Sequence, residues 1–180
     1  PSDLTDVLNR LLGVQARCIQ QHAGVVDKFI GDAVMAFWVH QSEHMPVQQV
    51  ACQCALALVE ELRDCFADQS ELDLRVRIGL HSGPVVLGSI GASHRYDYTL
   101  IGDTVNIACR LEQLGRTQDD GQHSVIMLSE EVAQGADLVA QGTWLGQVAL
   151  KGQPQGINVM RLYPEKVGSD QNATYIGAND

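Results

Sequence analysis

The sequence predicts an α+β fold, with helices packed on one face of a mainly antiparallel sheet. Three observations predict it. Segments with helical spacing mix irregularly with segments of period two. The extended stretches 25–30 and 33–39 are separated only by Gly31-Asp32, a turn that makes its two strands antiparallel. The chain has 180 residues and no long linker, which is enough for one sizeable core.

The elements follow in order. Leu4, Val7, Leu8, Leu11, Leu12, Val14 and Ile19 recur at helical spacing, with Ser2 or Asp3 as a cap and Gly24 as a stop. The hairpin over 25–39 comes next. Pro46 suits the first turn of a second helix, whose apolar face is Val50, Cys54, Leu58, Val59, Leu62 and Phe66. Residues 72–80 alternate apolar and polar, which predicts a strand. Gly83-Pro84 breaks it, and 85–87 resume the extended chain. Residues 88–98 are rich in Gly, Ser and charge and are expected to form a loop. Asp103 or Thr104 caps a helix that runs to about Leu114, with Gly115 as its stop. A strand over 125–128, a short helix opening at Ser129-Glu130-Glu131, and strands over 143–150 and 157–162 complete the order. The chain after Pro164 is polar and is expected to fray.

Bulk composition narrows the function. Hydrophobic residues make up 45%, charged residues 19%, and the formal net charge is -10. That balance argues against nucleic-acid binding, which needs a basic face. It allows a nucleotide enzyme, because a few local cations can hold a triphosphate on an acidic protein. The five cysteines have no zinc-type spacing and are expected to be free buried thiols in a reducing compartment. No apolar run reaches the ~20 residues of a membrane span, and no secretory signal opens the sequence, so a cytoplasmic domain is expected.

Two segments carry polar side chains in unusual density. The first is Asp27-Lys28-Phe29-Ile30-Gly31-Asp32-Ala33-Val34-Met35-Ala36-Phe37. The second runs from Gly79-Leu80-His81-Ser82-Gly83 through Arg95-Tyr96-Asp97-Tyr98-Thr99-Leu100-Ile101-Gly102-Asp103-Thr104-Val105-Asn106-Ile107-Ala108-Cys109-Arg110-Leu111-Glu112. Asp32, at a hairpin tip, suits a magnesium ligand or simply fills a turn. Lys28 is a site lysine or a solvated strand lysine. Asn106 and Arg110 are four apart on a predicted helix and share a face, a cradle for phosphate oxygens or an ordinary exposed pair. Lys151, in Leu150-Lys151-Gly152, reaches a polyphosphate or only solvent. His81 reads as a hydrogen-bonded structural histidine. No Ser-His-Asp or Cys-His arrangement and no Walker-type phosphate loop is present.

Together these segments resemble the class III adenylyl and guanylyl cyclases. The family pattern is K-x-x-G-D-x-x-M-A-x-F, G-x-H-x-G-x-V, Y-T-x-x-G-D-x-V-N-x-A-x-R-L-E and L-K-G; the last three are present in order, and the first is present through Met35-Ala36, with Trp38 where it ends in Phe. The resemblance implies a ferredoxin-like cyclase fold over residues 1–164, with 165–180 as a polar tail. It implies that Lys28 and Thr99 read the purine, and that Lys with Thr favours ATP over GTP. It implies that Asn106 orients the ribose, Arg110 stabilises charge at the α-phosphate, Lys151 binds the triphosphate and Asp32 holds metal. The implied reaction forms cyclic AMP and pyrophosphate by attack of the ribose 3'-hydroxyl, with two Mg2+ or Mn2+ ions. The implied partner is a second copy, head to tail, with sites at the interface and sensory domains elsewhere in the parent protein. The alternatives are a guanylyl cyclase and a catalytically silent nucleotide-binding or dimerising domain.

The sequence departs from the family at two places. The first metal aspartate belongs to a pattern like D-I-x-G-F-T, which is not found. It is expected upstream of Pro1, and the chain as given is expected to have little or no cyclase activity. Pro84 stands where some relatives carry a phosphate-contacting arginine.

Overall fold

The computed structural model describes residues 2–39, 45–68, 74–92, 95–121, 123–151 and 153–167. Helix α1 (Ser2–Gln21) buries Val14, Cys18 and Ile19 against helix α2 (Val47–Cys65) and against a hairpin of strands β1 (Val25–Ile30) and β2 (Ala33–Phe37). The end of α1 differs from expectation. Ala23, at φ 55°, is the left-handed residue, and Ala23 and Gly24 donate their N–H groups to the carbonyls of Gln20 and Ile19. Gly24 is there for space: a Cβ would come within 2.6 Å of the Trp38 ring. Pro46 stands just outside α2, at its N-cap, rather than in its first turn.

Strand β3 (Arg77–Leu80) pairs in parallel with β6 (Val125–Ser129), which pairs antiparallel with β8 (Gln153–Leu162), which in turn pairs with β7 (Thr143–Leu150). The period-two stretch from 72 thus yields a shorter strand than expected. Its partner begins only at Val125, and the Val76 N–H is taken by Ser124 Oγ at 3.3 Å instead of by a ladder carbonyl. Residues 72 and 73 lie outside the described residues. The expected loop over 88–98 is instead a ribbon. Strands β4 (Val86–Ala92) and β5 (Arg95–Ile101) pair antiparallel from Val86↔Ile101 to Ala92↔Arg95. A two-stranded ladder satisfies the backbone without an apolar pattern, so composition does not reveal it.

Helices cover both faces of the four-stranded sheet, not one. Alternation along β6 divides the core. Ile126 and Leu128 face α2 and the short helix α4 (Glu130–Gly135), with Met160 and Leu162 beside them. Val125 and Met127 face helix α3 (Asp103–Gly115), against Ile107 and Leu111. All of these are at most 5% exposed, and each such side chain contributes roughly 1.5–3 kcal/mol. Helix α2 serves two clusters, with Cys52 and Ala55 toward the sheet and Cys54, Leu58 and Leu62 toward α1.

The cysteines are free thiols. Folding brings Cys18, His22 and Cys54 within 4.8 Å of one another, a grouping that the spacing did not reveal. The thiols of Cys18 and Cys54 each donate to the other's backbone carbonyl at 3.7 Å, and His22 Nδ1 donates to the Cys18 carbonyl at 2.9 Å. The two thiols therefore stitch α1 to α2, and His22 closes the end of α1. The bond from Cys54, then burial, pushes the Cys18 thiol up, and burial pushes Cys52 up to about 12, so both stay protonated and unreactive near neutral pH.

The polar tail expected from 165 starts as an ordered 3-10 turn over Pro164–Lys166, where Glu165 accepts the Ser124 N–H at 3.0 Å. Residues 168–180 lie outside the described residues.

Helix α3 touches β3 at Gly79. A Cβ there would lie 2.2 Å from the Ala108 carbonyl oxygen and 2.4 Å from the Glu112 nitrogen, both backbone atoms. Gly79→Ala is expected to cost about 2–3 kcal/mol in urea denaturation, because α3 must lift off the sheet. Gly13→Ala, where the added methyl meets nothing within 4 Å in the middle of α1, is expected to gain about 0.5–1 kcal/mol. Equal effects of the two substitutions would contradict the close seat of α3.

Candidate active site

The hairpin presents the first group of polar residues. Gly31, at φ +66°, takes the first turn position, and Asp32 follows at the exposed tip. Gln15 of α1, only 6% exposed, donates from Nε2 to the Asp32 carbonyl at 3.3 Å. The tip is thus tethered to α1 through its backbone, and the Asp32 carboxylate is left to solvent. Ile30↔Ala33 closes the register, but a bulge interrupts it between Val26 and Lys28, with Asp27 as the extra residue.

That bulge decides what the next side chains can reach. Successive residues of a regular strand point to opposite faces. Here Asp27 and Lys28 converge on one side chain, Thr99 of β5. Lys28 Nζ donates to Thr99 Oγ1 at 2.7 Å, and Thr99 Oγ1 donates to Asp27 Oδ2 at 3.0 Å. Lys28 Nζ also stands 3.4 Å from Asp27 Oδ2. The Asp27 side chain is 3% exposed and Lys28 is 40% exposed, so the acid lies beneath the cluster and the ammonium reaches out of it.

Helix α3 carries the second group. Ile107 and Leu111 are buried, while Asn106 is exposed and Arg110 half-buried on the other side. The helix start is fixed by Thr104 Oγ1, which donates to the Pro84 carbonyl at 2.7 Å. Gly83 has no room for a side chain there, since a Cβ would approach Thr104 Oγ1 to 2.6 Å. Lys151 is exposed at the end of β7, just after Leu150, which packs in the cluster under α3. Among the described residues, no hydrogen bond or ion pair engages the side chains of Asp32, Asn106, Arg110 or Lys151.

Of the residues singled out in the sequence, the structure therefore joins Lys28 to Thr99 and places Asn106 beside Arg110 on one helix face. It does not bond Asp32 or Lys151 to either pair. Sequence reasoning missed Asp27 and Gln15. Asp27 lay inside a quoted segment, but nothing in the spacing shows the bulge. Gln15 lay within an amphipathic helix with no local sign of its role.

His81 is structural, as its setting suggested. Its Nδ1 shares a hydrogen bond with Ser129 Oγ at 2.9 Å and lies 4.0 Å from a Glu131 oxygen. Burial lowers its pKa and Glu131 partly opposes this.

Residues 1–164 match the family described as the adenylate and guanylate cyclase catalytic domain. The chain belongs to this family. The cyclase domain is 35% identical over 165 residues to adenylate cyclase 1 of Rhizobium meliloti, with 90% of this chain covered. It spans about a quarter (24%) of that relative's length. Among solved structures, the adenylyl cyclase CyaB of P. aeruginosa superposes with a TM-score of 0.75 at 27% identity, covering 89% of this chain and 82% of that one. The guanylyl cyclase Cya2 superposes at 0.69 and 24% identity, covering 89% and 80%, a likeness of fold. Among the described residues, no helix of the cyclase domain is long and apolar enough to cross a membrane.

The His81 shift has a signed consequence. Its folded pKa lies below the unfolded value of about 6.5, so the unfolded chain takes up the proton first as pH falls. Its contribution to stability is full above that value and is lost as pH falls from there through the lower folded pKa. Melting temperature between pH 7.5 and 5.5 is expected to fall more for the wild type than for His81→Gln; parallel curves would contradict the assignment.

Proposed function

We propose that this domain converts ATP to cyclic AMP and pyrophosphate. The observation that carries the reading is the contact between Lys28 and Thr99 at 2.7 Å, which sets a donor-only ammonium beside a hydroxyl. Adenine offers an acceptor at its ring nitrogen and an amino donor beside it. Guanine offers the reverse, a ring N–H and a carbonyl. An ammonium matches the ring nitrogen of adenine and opposes the ring N–H of guanine. The similarity to adenylate cyclase 1 of Rhizobium meliloti and to CyaB supports the same choice.

The remaining roles are those that the family resemblance implies. Asn106 orients the ribose, and Arg110 places its planar guanidinium on α-phosphate oxygens, where charge grows as the 3'-hydroxyl attacks and pyrophosphate leaves. Lys151 neutralises the polyphosphate tail. Class III cyclase domains are generally metal-dependent. Asp32 fits one ligand position for a hard divalent cation such as Mg2+ or Mn2+: an oxygen donor, without a protein partner, on a tethered turn. Such an ion, when bound, supplies positive charge for phosphate oxygens. One carboxylate leaves most of a cation's shell to other oxygens.

The assembly in this reading is a head-to-tail homodimer. It is supported by exposed apolar side chains on both ribbons. Phe29 and Ile30 are 46% and 60% exposed, and Val86 and Leu87 are 66% and 64% exposed. A second copy covers such a surface. Sensory domains elsewhere in the full-length protein belong to the same proposal.

The test is kinetic. The full-length protein given ATP and Mn2+ is expected to release cyclic AMP and pyrophosphate in equal amounts. Arg110→Ala is expected to lower kcat on the order of 10²–10³-fold, with a smaller change in KM. Release of ADP and phosphate instead, or undiminished turnover in Arg110→Ala, would overturn the reading.

A further inference from the structure

We infer that Asp27 is a positioning residue for purine selection: it fixes the hydroxyl hydrogen of Thr99 so that Thr99 faces the nucleotide only as an acceptor. The inference rests on the reading of Lys28 and Thr99 as the purine-reading pair.

The argument is one of donors and acceptors. A threonine hydroxyl carries one hydrogen and two lone pairs, and it rotates to suit its neighbours. Left free, it can accept from the amino group of adenine or donate to the carbonyl of guanine. It discriminates only if something fixes the hydrogen. In this protein the three polar atoms form a closed triangle. Lys28 Nζ to Thr99 Oγ1 is 2.7 Å, Thr99 Oγ1 to Asp27 Oδ2 is 3.0 Å, and Lys28 Nζ to Asp27 Oδ2 is 3.4 Å. Lysine has no acceptor, so it must donate to Thr99. A carboxylate has no hydrogen, so Thr99 must donate to Asp27. One lone pair of Thr99 is then filled by Lys28, its hydrogen is directed at Asp27, and one lone pair remains. The remaining lone pair accepts an amino hydrogen and repels a carbonyl oxygen.

The burial of the three groups fits this division. The Asp27 side chain is 3% exposed and Thr99 is 8% exposed, whereas Lys28 is 40% exposed. Asp27 is thus beneath Thr99 and out of reach of a base, and it acts through its neighbour. The bulge between Val26 and Lys28 is what permits it, because a regular strand would turn Asp27 to the face opposite Lys28. Charge-assisted hydrogen bonds of this kind are the strong ones, so the hydroxyl is held firmly.

The test compares ATP and GTP in the full-length protein. In Asp27→Ala, the ratio of kcat/KM for ATP over GTP is expected to fall roughly 10- to 100-fold, with the larger part of the change in KM. Asp27→Asn, nearly isosteric, offers Thr99 a donor as well as an acceptor and is expected to lower the ratio by a smaller factor; it serves if the alanine variant does not fold. In a Thr99→Ala background the Asp27 substitutions are expected to leave the ratio where Thr99→Ala alone puts it. Folded Asp27 variants with wild-type selectivity overturn the inference while the cyclase reading stands. An equal loss in the Thr99→Ala background also overturns it, since Asp27 would then act through the strand and not the hydroxyl. A wild type that forms no cyclic AMP overturns both.

Discussion

The seat of α3 on β3 is the constraint on which the rest depends. At Gly79 the strand has no side chain, and the helix backbone at Ala108 and Glu112 comes so close that a methyl group has no place. Interiors are packed at crystal-like density, so a helix this near a strand has little freedom to shift or roll. The face that carries Asn106 and Arg110 is thereby fixed relative to the sheet. An ion pair between Arg77 and Glu112, at 3.2 Å, flanks the contact. Both of its side chains are about two-fifths exposed (39% and 40%), and exposed pairs contribute little. Packing, more than charge, sets the position of α3.

The side that carries Lys28 and Thr99 depends on a different device. Asp27, Lys28 and Thr99 lie on two ribbons, one built from β1 and β2 and the other from β4 and β5, that share no hydrogen-bonded ladder among the described residues. Their polar triangle links the ribbons where the backbone does not. A buried carboxylate is costly unless it is paired, and here a hydroxyl donates to Asp27 Oδ2 and an ammonium pairs with the same oxygen. Helix α1 holds the far end of the same hairpin through Gln15 and the Asp32 carbonyl. Two rigid supports, one apolar and one polar, thus fix the two groups of side chains.

Local chemistry was legible in the sequence, and pairing was not. The hairpin at Gly31-Asp32 was readable because a two-residue turn specifies its own strands. The helix after Gly102 was readable from its spacing. The ribbon from Val86 to Ile101 has in part the composition of a loop, because its ladder is made by backbone groups that composition does not record. The strand at Arg77 was read too long, because its length is set by a partner 48 residues away, Val125, and not by its own alternation. Helix α2 shows one apolar face in its spacing and has two in the fold, since Cys52 and Ala55 serve a second cluster. In the site, Lys28 and Thr99 are 71 residues apart, and only the family resemblance joined them before the fold did. Asp27 was overlooked, because a bulge is a property of two strands together.

The central claim is that the pair of Lys28 and Thr99 chooses adenine. Its most direct measurement is a competition: the full-length protein is supplied with equimolar ATP and GTP and a divalent metal, and the cyclic products are separated by chromatography. The account predicts that cyclic AMP exceeds cyclic GMP by roughly tenfold or more, because an ammonium facing a ring N–H leaves polar groups unpaired. Equal yields, or an excess of cyclic GMP, would contradict it.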